Sequence, residues 1–368
     1  MEKVMIVFGT RPEAIKMCPL VQEMKKSRAL KPVVCVTGQH REMLSQVLHI
    51  FQVEPDHDLA IMKPGQDLYD ITSAVLLGMR DILKKEKPGA VLVHGDTSTA
   101  YASALAAFYQ QISVGHVEAG LRTWNLYSPF PEEFNRQSIG LLSKWHFAPT
   151  QAARENLLRE GKNPSSIFVT GNTGIDALTT TVRQDFSHPI LSWAAGSRLL
   201  LITAHRRENL GAPMRSMFRS IRRIVEEFED VKAVYPVHLN PLVKQAAEDE
   251  LSGCARIRLV EPMDAFAFHN VMARSYLILT DSGGIQEEAP ALKKPVLVMR
   301  DTTERPEGVA AGTLRLVGTE EETIYRECRN LLQNPAAYRQ MSAAANPYGD
   351  GKASARIREA LENEIGNK

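Results

Sequence analysis

Several familiar signatures are missing from this chain, and each absence removes a class of protein. No G-x-G-x-x-G follows an apolar run and no G-x-x-x-x-G-K-[ST] occurs; the nearest match, GDGKAS at 349–354, follows no strand-like segment. Neither a nicotinamide site nor a P-loop kinase is therefore supported. The four cysteines (Cys18, Cys35, Cys254, Cys328) are scattered, without a C-x-x-C pair, which speaks against a disulfide framework and a zinc ribbon. No apolar run is long enough to span a membrane, and MEKVMIVFGTRPE enters a strand-like segment without a signal-peptide pattern. A formal net charge of +1 over 368 residues leaves no basic footprint for nucleic acid. A cytoplasmic protein with neither nucleic-acid nor membrane partners is expected, and any anionic ligand must be held by local groups.

What is present has a strong rhythm. Hydrophobic residues make up 44% of the chain, enough to fill real cores. Short apolar runs, KVMIVFGT, KPVVCVTG, GAVLVHGD, ISVGHVEA, WHFAPT and SIFVTG, alternate with helical patterns such as PEAIKMCPLVQEMKK and TSTAYASALAAFYQ. Near-continuous apolar strands separated by helices indicate a parallel sheet covered on both faces. The rhythm pauses over TTVRQDFSHPILSWAAGSR and resumes with LLLITA, KAVYPVH, RIRLVEP, YLILTD, PVLVMR and TLRLVG. The expected fold is α/β, with two doubly wound Rossmann-like domains and an interdomain cleft at the carboxyl ends of their strands, where ligands bind in such folds. The expected boundaries are 1–172, 173–352 and a C-terminal helix over 353–368.

Nearly every strand ends in polar residues. GTRPEAIK supplies Gly9 for a sharp turn and Arg11 and Lys16 for a phosphate, although a helix start with solvated charges is the better account of this stretch taken alone. VHGDTST and GHVEAGLRT each place a His two positions before an acid, His94 with Asp96 and His116 with Glu118. Residues i and i+2 of a strand face the same way, so these pairs suit acid–base work or, less well, a metal; N-capping by Asp96 and Thr97 is the bland alternative. In YSPFPEEFNRQ, Glu132 and Arg136 are four apart and share a helix face, which favours Glu132 over Glu133 as a third carboxylate.

The second half supplies positive charge. LITAHRRENLG clusters His205, Arg206 and Arg207; PVHLNP adds His238 and RDTTERPEG adds Arg305. In TDSGGIQEEAP, a helix beginning at Gly283 or Gly284 offers unpaired N–H groups and a positive dipole end to a phosphate, with Asp281 or Ser282 as a capping alternative. A glutamate just beyond a phosphate makes sense if it grips ribose hydroxyls, so the ligand to look for is a nucleotide.

In order along the chain, GTRPEAIK, HGDT, HVEAGLRT, SPFPEEFNR, TAHRREN, YPVH, TDSGGIQEEAP and RDTTERPEG resemble the bacterial non-hydrolysing UDP-N-acetylglucosamine 2-epimerases, and the resemblance covers essentially the whole chain. It implies the GT-B fold, a homodimer, and a C-terminal helix crossing back to the first domain. The implied reaction interconverts UDP-GlcNAc and UDP-ManNAc with no cofactor and no metal, for cell-surface polysaccharide precursors. The absence of a dinucleotide fingerprint agrees, since it excludes epimerisation by transient oxidation with bound NAD. By the same resemblance Asp96, Glu118, Glu132 and His205, with Arg136 beside them, match catalytic positions. Arg11, Lys16, Phe268 (on the uracil), Ser282, Gly283, Gly284, Glu288 (on the ribose) and Arg305 match UDP-binding positions. Gln39, His40, Arg206 and His238 match a second, activating UDP-GlcNAc site of some bacterial members. Glu42 and Gly65 depart from that pattern, and a carboxylate at 42 faces a diphosphate poorly. The alternative function is a GT-B glycosyltransferase with a UDP-sugar donor, for which three carboxylates in one domain are more than the chemistry needs.

Overall fold

Runs such as Val4–Phe8 and Leu199–Ile202 are apolar at every position, so they are stable only where both faces of the sheet are covered. The computed structural model describes residues 1–38, 41–63 and 65–366, of which 41–43 in backbone only, and it shows two such sheets. The first contains β1 (Glu2–Phe8), β2 (Leu30–Val36), β3 (His57–Asp58), β4 (Ala90–His94), β5 (Ser113–Val117), β6 (Trp145–Ala148) and β7 (Ile167–Val169). The second contains β8 (Arg198–Thr203), β9 (Val231–Pro236), β10 (Ile257–Val260), β11 (Leu277–Thr280), β12 (Val296–Val298) and β13 (Leu314–Leu316). Their orders are β3-β2-β1-β4-β5-β6-β7 and β10-β9-β8-β11-β12-β13, with neighbouring strands parallel. Both are the Rossmann order, which reverses between β1 and β4 in one sheet and between β8 and β11 in the other.

Alternation along β1 explains the layering. Val4, Ile6 and Phe8 pack with Met17, Leu20 and Leu361 on one side, while Met5 and Val7 pack with Val75 and Met79 on the other. In the second sheet Leu200 and Ile202 pack on Met217, Phe218 and Ile221. Among the described residues only β3 has no counterpart in the expected strands: a His-Asp pair on a sheet edge carries no apolar period.

The chain divides into two units, Met1–Thr180 with Tyr348–Lys368, and Thr181–Pro347. Segments 173–180 and 348–352, assigned to the second domain from the sequence, thus belong to the first. The reason is local. Asp176 accepts from the backbone N–H of Ala353 (3.2 Å) and Ser354 (2.7 Å), which ties the helix Thr173–Thr181 to the start of the C-terminal helix Ala353–Ile365. That last helix packs on Arg11–Met24 of the same unit. Among the described residues no helix is long and apolar enough to cross a membrane.

Candidate active site

In the first unit the site is built at the β1/β4 switch. Gly9 ends β1, but not to permit a turn: its φ is not positive, and a Cβ there would run into the Thr37 hydroxyl. Close packing is what excludes a side chain. Thr10-Arg-Pro-Glu13 then forms a capping box, with Pro12 in the first turn of the helix Arg11–Met24. Glu13 is 3% exposed and accepts from the N–H of Gly9 (3.0 Å) and Thr10 (2.8 Å) and from the Thr97 hydroxyl (2.6 Å). Burial raises its pKa against the pull of those hydrogen bonds. This carboxylate fastens the β1 exit to the β4 exit, leaving Arg11 partly exposed at the helix start.

Asp96 is spared from capping because Thr97 does that work, accepting from Ala100 N–H at 3.0 Å. It meets Arg136 instead, whose Nε donates to its Oδ2 at 2.7 Å, while Asn135 Nδ2 donates to the Asp96 carbonyl at 2.7 Å. Burial raises the Asp96 pKa; Arg136 opposes this, and the nearby charges of Glu118 and Glu132 add to it. Asp96 therefore stands within electrostatic reach of both other carboxylates.

Glu118, one residue beyond β5, has φ +64°, a left-handed conformation that costs a non-glycine residue roughly 1–2 kcal/mol and that collects at functional sites. Its carboxylate is ion-paired with Lys16, a residue expected at a phosphate, and lies 3.8 Å from His94 Nε2. The expected His–acid pairs are thus rearranged. His94 lies near Glu118 because its register partner on β5 is Val117, and His116 turns inward to Gly95 O at 2.7 Å. Burial drives His94 to about 4 and His116 to about 3, so both rings are neutral in the fold. Among the described residues, no group of three or more His, Cys, Asp or Glu is placed to hold a metal ion.

The pairing that favoured Glu132 does not form as expected. Arg136 reaches Asp96 and, at 3.1 Å, Glu133, because the guanidinium extends off its own helix toward the β4 exit. Glu133 is fully buried and accepts from Thr123 N–H (3.0 Å), Trp124 N–H (3.1 Å) and Gln137 Nε2 (2.9 Å). Burial alone would raise its pKa, but these bonds and Arg136 hold it below the ordinary value. Glu133 is thereby committed to the loop and to Arg136, and Glu132 is the partly exposed acid of the pair.

In the second unit the corresponding switch, between β8 and β11, carries His205–Arg206 and Asp281–Gly284. The helix Gly283–Ala291 has Ser282 as its N-cap and no side-chain capping bond. Its glycines are required neither by φ nor by packing: a Cβ on Gly284 would meet nothing within 4 Å, and one on Gly283 only the Arg206 guanidinium at 3.7 Å. Bare N–H groups beside open space suit a phosphate. Asp281, read from the sequence as a possible cap, is instead fully buried, and its Oδ2 accepts from the N–H of His205 and Arg206 (both 2.8 Å) and from Asn209 Nδ2 (3.2 Å).

His205 stacks on His238 (ring centroids 5.4 Å, interplanar 12°); burial lowers its pKa, Asp281 pulls it up, and His238 and Arg206 push it down. Arg305 is ion-paired with the buried Glu287, and Glu288 lies 3.5 Å from His269 Nε2, so the adjacent glutamates face different partners. Phe268 lies half-buried on the helix Ala265–Arg274. Gln39 and His40 fall outside the described residues, and of their expected companions Arg206 sits beside Gly283 and His238 against His205. Glu13, Glu133 and Asp281 were not read as site residues; only Glu13 was signalled, by its capping-box spacing.

Two Rossmann-like units of GT-B type, one bearing clustered carboxylates and the other a glycine-started helix among cations, define an enzyme built to handle a nucleotide sugar. The family model described as UDP-N-acetylglucosamine 2-epimerase matches residues 22–362, and the chain belongs to that family. It is 61% identical to the UDP-N-acetylglucosamine 2-epimerase of Bacillus subtilis over 98% of this chain and 94% of the relative. Among solved structures it resembles S. aureus MnaA with UDP (TM-score 0.90, 49% identity, 99% and 97% of the two chains). It also resembles the Neisseria meningitidis UDP-GlcNAc 2-epimerase bound to UDP-GlcNAc (TM-score 0.87, 49% identity, 98% and 100%).

Proposed function

We propose that this enzyme inverts C2 of UDP-GlcNAc, giving UDP-ManNAc reversibly, by eliminating and re-adding UDP. The observation that carries the mechanism is the grouping of Asp96, Glu118 and Glu132 at the carboxyl ends of one sheet, with Arg136 and Lys16 as counter-charges. No carbonyl adjoins C2 of the sugar, so its proton is not acidic and a carboxylate alone cannot remove it at a useful rate. Breaking the C1–O bond first solves this. The electron pair leaves with UDP, positive charge develops at the anomeric carbon, and the C2 proton becomes labile.

Arg11, Lys16, Arg305, Ser282 and the N–H groups at Gly283 and Gly284 stabilise the departing diphosphate, and His205 gives it a proton. A carboxylate takes the C2 proton, leaving UDP and 2-acetamidoglucal. A proton then returns to C2 from the opposite face and UDP re-forms the C1–O bond. Inversion needs acid–base groups on both faces, which is why several carboxylates serve where one would not. Phe268 packs on the uracil and Glu288 holds the ribose. Arg206 and His238, with Gln39 and His40, would hold an activating UDP-GlcNAc. In this reading the enzyme works in the cytoplasm, supplies surface-polysaccharide precursors and acts as a homodimer. Tyr69, Leu77, Phe108 and Tyr109 are exposed on two helices that pack together, and are available to a partner subunit.

Proton NMR of UDP-GlcNAc with the protein in D₂O tests the chemistry. A growing UDP-ManNAc anomeric signal with deuterium at C2 is expected. Free ManNAc with UDP would mean hydrolysis instead, and an unchanged spectrum that responds only to an added acceptor would mean glycosyl transfer.

A further inference from the structure

We propose that Asp281 is a positioning residue that holds the His205 imidazole with its proton on Nδ1, leaving Nε2 as the nitrogen that serves the departing diphosphate. This rests on the reading above that His205 assists the leaving group.

The arrangement follows from the strands. Thr203 of β8 and Thr280 of β11 are register partners with hydroxyls 2.5 Å apart, so the residues just beyond them, Ala204-His205 and Asp281, emerge side by side. Asp281 has 0% exposure, and its two oxygens are used unequally. Oδ2 takes all three hydrogen bonds, from His205 N–H, Arg206 N–H and Asn209 Nδ2. Oδ1 has no hydrogen-bond partner, yet it stands 3.4 Å from Nδ1 of His205. A buried carboxylate oxygen without a donor is expensive, and a small closing motion of the ring supplies one.

The other groups around the ring do not compete for that role. His238 stacks flat against it, Arg206 turns its Nε to the Asp281 carbonyl (3.3 Å), and the buried Tyr235 hydroxyl donates to Ala204 O at 2.5 Å. One carboxylate therefore fixes both the backbone that carries His205 and the tautomer of its ring, the two things a general acid needs held.

The Asp281→Asn enzyme tests this sharply. Two backbone N–H groups still require an acceptor at the Oδ2 position, so the amide oxygen goes there and the NH₂ faces Nδ1. The ring must then accept at Nδ1 and carry its neutral proton on Nε2. We expect kcat to fall about 10²-fold and the high-pH limb of kcat to move down by about one unit, since a negative charge beside the imidazolium is lost. UDP affinity should stay near wild type. Nitrogen-15 spectra of the histidines should show His205, assigned by its loss in His205→Gln, as the Nδ1–H form in the wild type and the Nε2–H form in the variant.

A uniform fall of kcat at every pH, together with weaker UDP binding, would reduce Asp281 to a structural support and overturn the proposal. If the variant fails to fold, the wild-type spectrum alone decides, and an Nε2–H signal for His205 rejects the idea. A wild-type enzyme that binds UDP but does not epimerise would refute the functional reading separately, because the tautomer is measured without turnover.

Discussion

In the first unit, the loops after β4 and β5 carry Asp96 and Glu118, acids supported by Arg136 and Lys16 and backed by buried, neutral histidines. In the second unit, the equivalent loops after β11 and β12 carry the uncapped helix start at Gly283 and the buried Arg300, with His205 and Arg206 after β8. The charge logic is inverted on one topology. On one side cations hold acids ready; on the other a buried acid, Asp281, holds a His and an Arg ready. A doubly wound sheet offers only positions at its strand ends, so the chemistry depends on which sign each unit can afford to bury. In the mechanism proposed above, acid–base work at carbon falls to acids of the first unit, and the second unit contributes the helix start that receives the diphosphate.

The most demanding test of that division is Glu118→Gln. In the proposed mechanism the acid–base carboxylates each contribute on the order of 10²–10⁴ in rate, so a loss of kcat near the middle of that range is expected. UDP binding should be unchanged or tighter, because the substitution frees Lys16 from its carboxylate for the diphosphate it is proposed to meet. Steady-state kinetics beside calorimetric UDP titration separates the two. If affinity collapsed along with kcat, the acid would be helping to hold the nucleotide and the division of labour would fail.

Much of the fold is legible in the sequence, and the exceptions share a cause. Twelve of the strands announced themselves as apolar runs, whereas β3, with only His57 and Asp58, had no pattern to read. Asp96, Glu118 and His205 were visible as polar residues where strands stop. Glu13, Glu133 and Asp281 were not, because a sequence does not say which charged residues will be buried, and an acid near a helix start reads first as a cap. The Glu132–Arg136 pairing misled for a related reason. The four-residue rule sees one helix in isolation, whereas the guanidinium has the choice of Asp96, brought in by a different strand. The ion pairs of Lys16 with Glu118 and of Arg305 with Glu287 lay equally out of sight.

Gly284→Ala sharpens the second half of the comparison, because stability and binding should move in opposite directions. With open space around the site and ordinary helical backbone, alanine should stabilise the helix by up to about 1 kcal/mol. The same methyl group takes the room a phosphate needs against the first-turn N–H groups, so UDP should bind roughly tenfold more weakly, a cost of about 1.4 kcal/mol. Thermal melting with and without UDP reads both. A variant that melts higher and binds UDP normally would show that no phosphate approaches Gly284.

The smallest expected effect concerns acid. His94, His116 and His146 sit in the first unit at about 4, 3 and 4, each lowered chiefly by burial, and each leaves a ring nitrogen without a hydrogen bond. In the unfolded chain a histidine titrates near 6.5. Between that value and the folded values the unfolded chain binds protons that the fold refuses. The stability these residues contribute is therefore complete above about pH 6.5 and drains away as pH falls toward 4, with a slope of at most about 1.4 kcal/mol per pH unit for each. Glu13, Asp96 and Asp176, whose pKa values are raised by burial, pull the other way and shrink the net slope. In the second unit His205 is lowered in this manner, with Asp281 opposing it. Hydrogen exchange, corrected for intrinsic rates, should show amides of β4 to β6 losing protection between about pH 7 and pH 5 before those of β8 to β11. Simultaneous loss in both units, or earlier loss in the second, would mean that the buried histidines of the first unit do not set its acid limit, and that the cost of keeping its carboxylates charged lies elsewhere.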